Sequence, residues 1–126
     1  MSTLSPELRE FVLSRFSSSE QIDVFVLLYR SPERRRSTRE VATTLGMAPE
    51  SAGMRLFLLN SVSLLASAGS RETEYWYASS PNLDQLAKAV SEAHEHDRAA
   101  LATLVAGAVQ ATPARLFADA FRWRKP

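Results

Sequence analysis

The sequence predicts a mainly α-helical fold carrying one short β-hairpin, and three observations predict it. Apolar residues recur at three- and four-residue spacing along most of the chain. Serine-led caps, several followed by proline or by an acid or amide three residues on, stand ahead of those stretches. Only two short runs, 64–67 and 74–78, read as strands, the second rich in aromatics (Tyr75, Trp76, Tyr77).

The chain has 126 residues, enough to bury one core, and no cysteine. A disulfide scaffold, a thiolate nucleophile and a cysteine-ligated zinc site are therefore excluded. The longest apolar run near the front, 24–29, is far short of the ~20 residues of a membrane span. The opening segment, Met1 to Glu7, lacks the basic start and apolar stretch of a secretory signal. A cytoplasmic protein without membrane insertion is expected.

The first helix starts at Ser5, with Pro6 in the first helical position, and Leu8, Phe11, Val12 and Phe16 form its apolar stripe. Ser18 with Gln21 can cap a second helix over 20–30. Ile22, Val24, Phe25, Val26, Leu27 and Leu28 cover most of its circumference, which predicts a central, buried element. After Ser31-Pro32, Ser37 with Glu40 opens a short helix through Val41, Ala42 and Leu45, and Gly46 supplies a left-handed end. A three-residue turn leads into a fourth helix over 49–60.

Ala68-Gly69-Ser70-Arg71 reads as the hairpin turn. Ser80-Pro81 then opens a long helix to about residue 110, with Leu83, Leu86, Val90, Ala93, Asp97, Ala100, Leu104 and Gly107 in heptad rhythm. That seam suggests a dimer contact or an intrachain brace. Thr112-Pro113 opens a last short helix over 114–122, with Leu116, Phe117, Ala120 and Phe121 on one face. Its interleaved aromatic and basic residues invite a membrane surface, but so short a helix would hold a bilayer weakly, and packing with Trp123 as anchor is expected instead.

Net charge is only +1, but five arginines (Arg30, Arg34, Arg35, Arg36, Arg39) lie within ten residues against Glu33 alone. A second basic cluster ends the chain, so the remainder is acidic. Such patches suit an anionic partner or a solvated loop.

The stretch Arg39-Glu40-Val41-Ala42-Thr43-Thr44-Leu45-Gly46-Met47-Ala48-Pro49-Glu50-Ser51 resembles the helix-turn-helix core of bacterial winged-helix transcriptional regulators, broadly of the MarR-like kind. The resemblance covers about half the chain. It implies a winged helix-turn-helix with a two-stranded wing over residues 1–80. The long helix and short terminal helix of 81–126 would then serve as a dimerisation or bracing element. It further implies a DNA-binding regulator, acting as a homodimer with its recognition helices near 34 Å apart on a palindromic site.

Carried onto this sequence, the positioning helix is 38–45 and the recognition helix 49–60, with Ala52, Leu56 and Leu59 inward and Ser51 and Arg55 reaching the DNA. Arg71 reaches it from the wing, and Arg34, Arg35, Arg36 and Arg39 contact phosphates. Four features depart from the pattern. The recognition helix carries one basic residue against the acid Glu50, Gly53 lies inside it, Phe57 and Leu58 stand where charged residues are usual with Met54 also outward, and Ser63 replaces a glycine before the first wing strand. The apolar trio motivates a rival reading, a winged-helix adaptor that docks a protein partner.

A third possibility is small-molecule sensing where the long helix meets the core, with Trp76 as a wall. No phosphate loop, nucleophile elbow or acid/base grouping points to an enzyme. His94 and His96 point about 200° apart on a helix, so no metal site is expected; His94 could instead pair with Asp97.

Overall fold

The computed structural model describes residues 4–69 and 71–124, with side chains through residue 107. The elements in order are α1 (Pro6–Arg15), α2 (Ser19–Tyr29), β1 (Arg36–Ser37), α3 (Thr38–Leu45), α4 (Pro49–Ser61), β2 (Leu65–Ala68), β3 (Glu74–Tyr77) and α5 (Pro81–Arg124).

Local chemistry sets most boundaries. The Ser5 hydroxyl accepts from the Leu8 amide at 3.2 Å, and Pro6 follows where its missing N–H leaves nothing unpaired. At α2 the Ser18 hydroxyl accepts from the Gln21 amide, while the Gln21 side chain ties back to the Ser17 amide and hydroxyl and to the Arg15 carbonyl. The expected cap therefore reaches one residue further back than a reciprocal box. At α3 the reciprocal box is complete, Ser37 and Glu40 each accepting from the other's backbone N–H.

Helix α2 is the centre of the core. Ile22, Val24, Phe25 and Leu28 are fully buried, and the helix packs against α4, α5 and β3. Phe25 meets Phe16 edge-on at 5.3 Å and Tyr77 at 6.0 Å, within the range where aromatic pairs attract. Tyr77 also donates its hydroxyl to Asp84 at 2.6 Å, fastening the end of β3 to the start of α5. Burial and that carboxylate push its pKa up to about 12.

Helix α3 turns into α4 at Gly46, whose φ of 66° is the left-handed conformation that glycine adopts without a Cβ clash. The inward face of α4 is Ala52, Leu56 and Leu59, the positions the resemblance implies. Past α4 the Ser63 amide donates to the Asn60 carbonyl and the Leu64 amide to the Leu59 carbonyl, the paired bonds of a Schellman ending. Ser63 itself is left-handed, with φ 67°.

The sheet has three antiparallel strands in the order β1-β3-β2, not two. The extra strand is a two-residue segment pairing Arg36 with Tyr75 and Ser37 with Glu74, too short to leave an alternating pattern in the sequence.

The long helix also departs from expectation. Its backbone breaks at Asp97 (φ −153°, ψ 63°), and the Asp97 carboxylate accepts from the Ala100 amide at 3.2 Å, so Asp97 caps the second half. Ala87 and Val90 are buried before the break, and Leu101 and Val105 after it, as α5 packs along α2 and α1. An uninterrupted heptad seam does not exist here, because a capping carboxylate interrupts the helix where the seam needs an inward residue. Helix α5 extends to Arg124, and the start expected at Thr112-Pro113 and the apolar face expected of the terminal segment lie outside the described side chains. Among the described residues no helix is long and apolar enough to cross a membrane.

The left-handed Ser63 yields a direct test. A left-handed conformation costs a residue with a Cβ roughly 1–2 kcal/mol, partly offset by the chain entropy that glycine loses. Ser63→Gly is expected to raise the urea midpoint by the equivalent of ~0.5–1 kcal/mol. A lower midpoint would place that turn in a different conformation.

Candidate nucleic-acid interface

Residues 36–77 form a winged helix-turn-helix: α3, a tight turn, α4, and a small sheet with a hairpin. The sequence-predicted contact residues fall into three groups within it. Arg34, Arg35, Arg39 and Arg71 are exposed. Arg34 pairs with Glu40 at 3.2 Å on the surface, a contact that water and salt weaken. Arg35 lies 4.2 Å over the Trp76 ring, so that β3 supports a cation projecting from the segment before β1. Trp76 therefore serves as a platform for an arginine rather than as a ligand wall.

Arg36 and Arg55 are placed differently from expectation. Arg36 is only 8% exposed, because its place in β1 turns it inward, where its guanidinium donates to the Ser31 hydroxyl at 3.1 Å. A phosphate contact from the surface is thus not available to it. Arg55 lies back toward α2, with its guanidinium 3.8 Å from Glu20 and its side chain only 25% exposed. The Nε atoms of both arginines are buried without a hydrogen-bond partner.

The third group is the outer face of α4. Glu50 is exposed in the first turn, and Ser51 is half-buried beside it. Met54 is 54% and Phe57 61% exposed, while Leu58 is half-buried. Two large apolar side chains thus stand in water on the helix expected to carry recognition.

Sequence reasoning missed a cluster that ties α5 to α2. Asp23, between Ile22 and Val24 in an otherwise apolar helix, accepts from Arg98 at 3.2 and 2.6 Å and meets His94 Nε2 at 2.9 Å. His94 lies before the Asp97 break and Arg98 just after it, so one carboxylate holds both sides of the kink. His94 is thereby directed at Asp23, whereas the sequence suggested Asp97. Burial raises the Asp23 pKa, but the hydrogen bonds from Arg98 and His94, and their charge, outweigh it and hold the carboxyl below 3.8. A lone acid inside an apolar helix was the available signal. Its partners, more than seventy residues away, left none.

Two solved structures share this fold. One is the homodimeric winged helix-turn-helix DNA-binding domain Mb0332 from Mycobacterium bovis, described as a possible ArsR-family transcriptional regulator. It is 18% identical, with a TM-score of 0.54 over 77% of this chain and 93% of that one. The other is a mutant of MepR from a multidrug-resistant S. aureus clinical isolate, 15% identical. Its TM-score is 0.53 over 94% of this chain and 84% of that one. No protein-family model and no curated protein matches the chain.

The clamp at Asp23 carries a signed pH dependence. Its folded pKa is depressed, so its contribution to stability is present above the unfolded value near 3.8 and is lost as pH falls through the lower folded value. Asp23→Asn is expected to unfold at lower urea near neutral pH and to lose less of its midpoint than the parent on acidification below pH 4. Parallel pH profiles for the two proteins would remove the clamp from the account.

Proposed function

We propose that the protein is a cytoplasmic, bacterial-type transcriptional regulator that binds double-stranded DNA as a homodimer. The observation that carries this reading is the pairing of a helix-turn-helix, its second helix fixed by one face and open on the other, with four exposed arginines flanking it. In this reading the first half of α4 enters the major groove and the wing follows the neighbouring backbone. Arg34, Arg35, Arg39 and Arg71 neutralise phosphates, which sets register and supplies most of the salt-dependent affinity. Ser51 meets a phosphate or base edge at the groove. Arg55 reaches a base only by leaving Glu20, an exposed partner that competes weakly.

The likeness to a homodimeric DNA-binding domain and to MepR supports this class of function, and the MarR-like pattern around Gly46 agrees with it. Two copies would set their α4 helices about one helical turn of DNA apart, near 34 Å, and would favour a palindromic site.

A second reading has its own observation, the exposure of Met54 and Phe57 on α4. In that reading Met54, Phe57 and Leu58 dock a protein partner, and the fold no longer reads DNA.

Fluorescence anisotropy on duplex DNA tests the first reading. Log affinity is expected to fall linearly with log salt, by about 0.9 per phosphate neutralised, and alanine at Arg34, Arg35, Arg39 and Arg71 together is expected to flatten that slope. Equal slopes in parent and quadruple variant would remove these arginines from the interface.

Phe57→Asp separates the two readings, because Phe57 lies in water and its replacement leaves the core intact. Lost DNA binding in a folded variant supports the regulator. Loss of a co-purifying protein with the fold intact, from a parent that does not bind duplex DNA, supports the adaptor.

A further inference from the structure

Helix α4 carries five polar side chains, and three of them are engaged by the protein itself. Arg55 leans on Glu20 at 3.8 Å. Asn60 donates its side-chain N–H to the Ser67 hydroxyl at 3.3 Å, and the Ser61 hydroxyl donates to the Phe57 carbonyl of its own helix at 2.8 Å. Glu50 and Ser51 remain, both in the first turn. Beyond that turn the outer face is hydrocarbon, with Met54 54% and Phe57 61% exposed. Residues 50, 54 and 57 share one stripe, because positions three and four apart are neighbours on a helix.

Positive charge rims this stripe. A Cβ on Gly53 would stand 3.5 Å from the Thr38 methyl, so α4 passes beside the start of α3, where the exposed Arg39 follows Thr38. Arg34 and Arg35 before β1 and Arg71 in the hairpin are exposed as well. Hydrocarbon framed by cations complements a polyanion that offers an apolar group between its charges. The major groove of DNA is such a surface, since the thymine methyl is the hydrocarbon group on its base edges and phosphates line both sides. Met54 and Phe57 are three residues apart, about 4.5 Å along the helix axis, against about 3.4 Å between base pairs. The two side chains therefore fall over neighbouring base pairs. Glu50 only accepts hydrogen bonds, which suits a base amine in the groove rather than a phosphate.

We infer, resting on the duplex-binding reading above, that Met54 and Phe57 read thymine methyl groups in the major groove. The preferred duplex then carries thymine at the base pairs beneath α4. This base preference is one that the exposed arginines, meeting phosphates, do not supply.

Selection of duplexes by the full chain from a randomised pool, followed by anisotropy on the selected duplex, tests the inference. Thymine is expected in each selected half-site. Deoxyuridine at that position deletes the methyl alone and is expected to weaken binding about fourfold or more. Cytosine there is expected to bind weakly, and cytosine methylated at the same ring carbon to bind more tightly than plain cytosine. Met54→Ala with Phe57→Ala removes two exposed side chains, so the fold is expected to persist by circular dichroism. That variant is expected to bind the thymine and deoxyuridine duplexes equally. Each single variant gives the same comparison if the double one binds too weakly to measure. Duplex binding by the parent that ignores the methyl, or a methyl preference that persists in the variants, overturns the inference and leaves the duplex-binding reading standing. A parent that binds no duplex at low salt overturns both. Self-association of that parent, or a co-purifying protein, lost in the double variant would then assign the face to that occupant.

Discussion

The structure depends on α2 being buried on nearly every side. Phe25, Ile22, Val24 and Leu28 have almost no contact with water, and α4, α5 and β3 all rest on that helix. An element so enclosed leaves its neighbours no freedom to exchange faces, since each must present its own apolar stripe to it. That is why α4 shows Ala52, Leu56 and Leu59 inward and is left with Met54 and Phe57 in water. The open face of α4 follows from the core before any partner is considered.

Within this frame the arginines divide by environment. Arg34, Arg35, Arg39 and Arg71 remain at the surface, where a phosphate or a carboxylate partner can meet them. Arg98 is consumed in fastening α5 to Asp23 across its kink, and Arg55 leans on Glu20. Arg36 is enclosed, with its guanidinium on the Ser31 hydroxyl. One basic run in the sequence therefore serves at least two different physical roles.

Much of the fold was legible in local chemistry. The Ser37–Glu40 box, the left-handed Gly46 and the Ser5-Pro6 start each act within four residues, and the structure contains each of them. The substitution of serine for glycine at position 63 was also visible, and it coincides with a left-handed backbone. What could not be read was decided by distant partners. Whether Arg36 faced water depended on β1 pairing with β3, and Arg55 was drawn toward Glu20 on the neighbouring helix α2. The Asp23 clamp joins residues more than seventy positions apart, and Asp97 acts as a cap where the backbone of α5 breaks. Periodicity alone placed Asp97 on a seam, since an acid at a heptad position and an acid capping a new helix look alike in one dimension.

On the proposed function, the open face of α4, with the arginines beside it, is where this protein meets a duplex. Titrating ¹⁵N-labelled protein with double-stranded DNA and following backbone amides tests it most directly. Shifts are expected in the first half of α4, in residues 34–39 and around Arg71, while the amides of α1 stay still. Shifts gathered on α1, or a spectrum that DNA leaves unchanged at low salt, would contradict it.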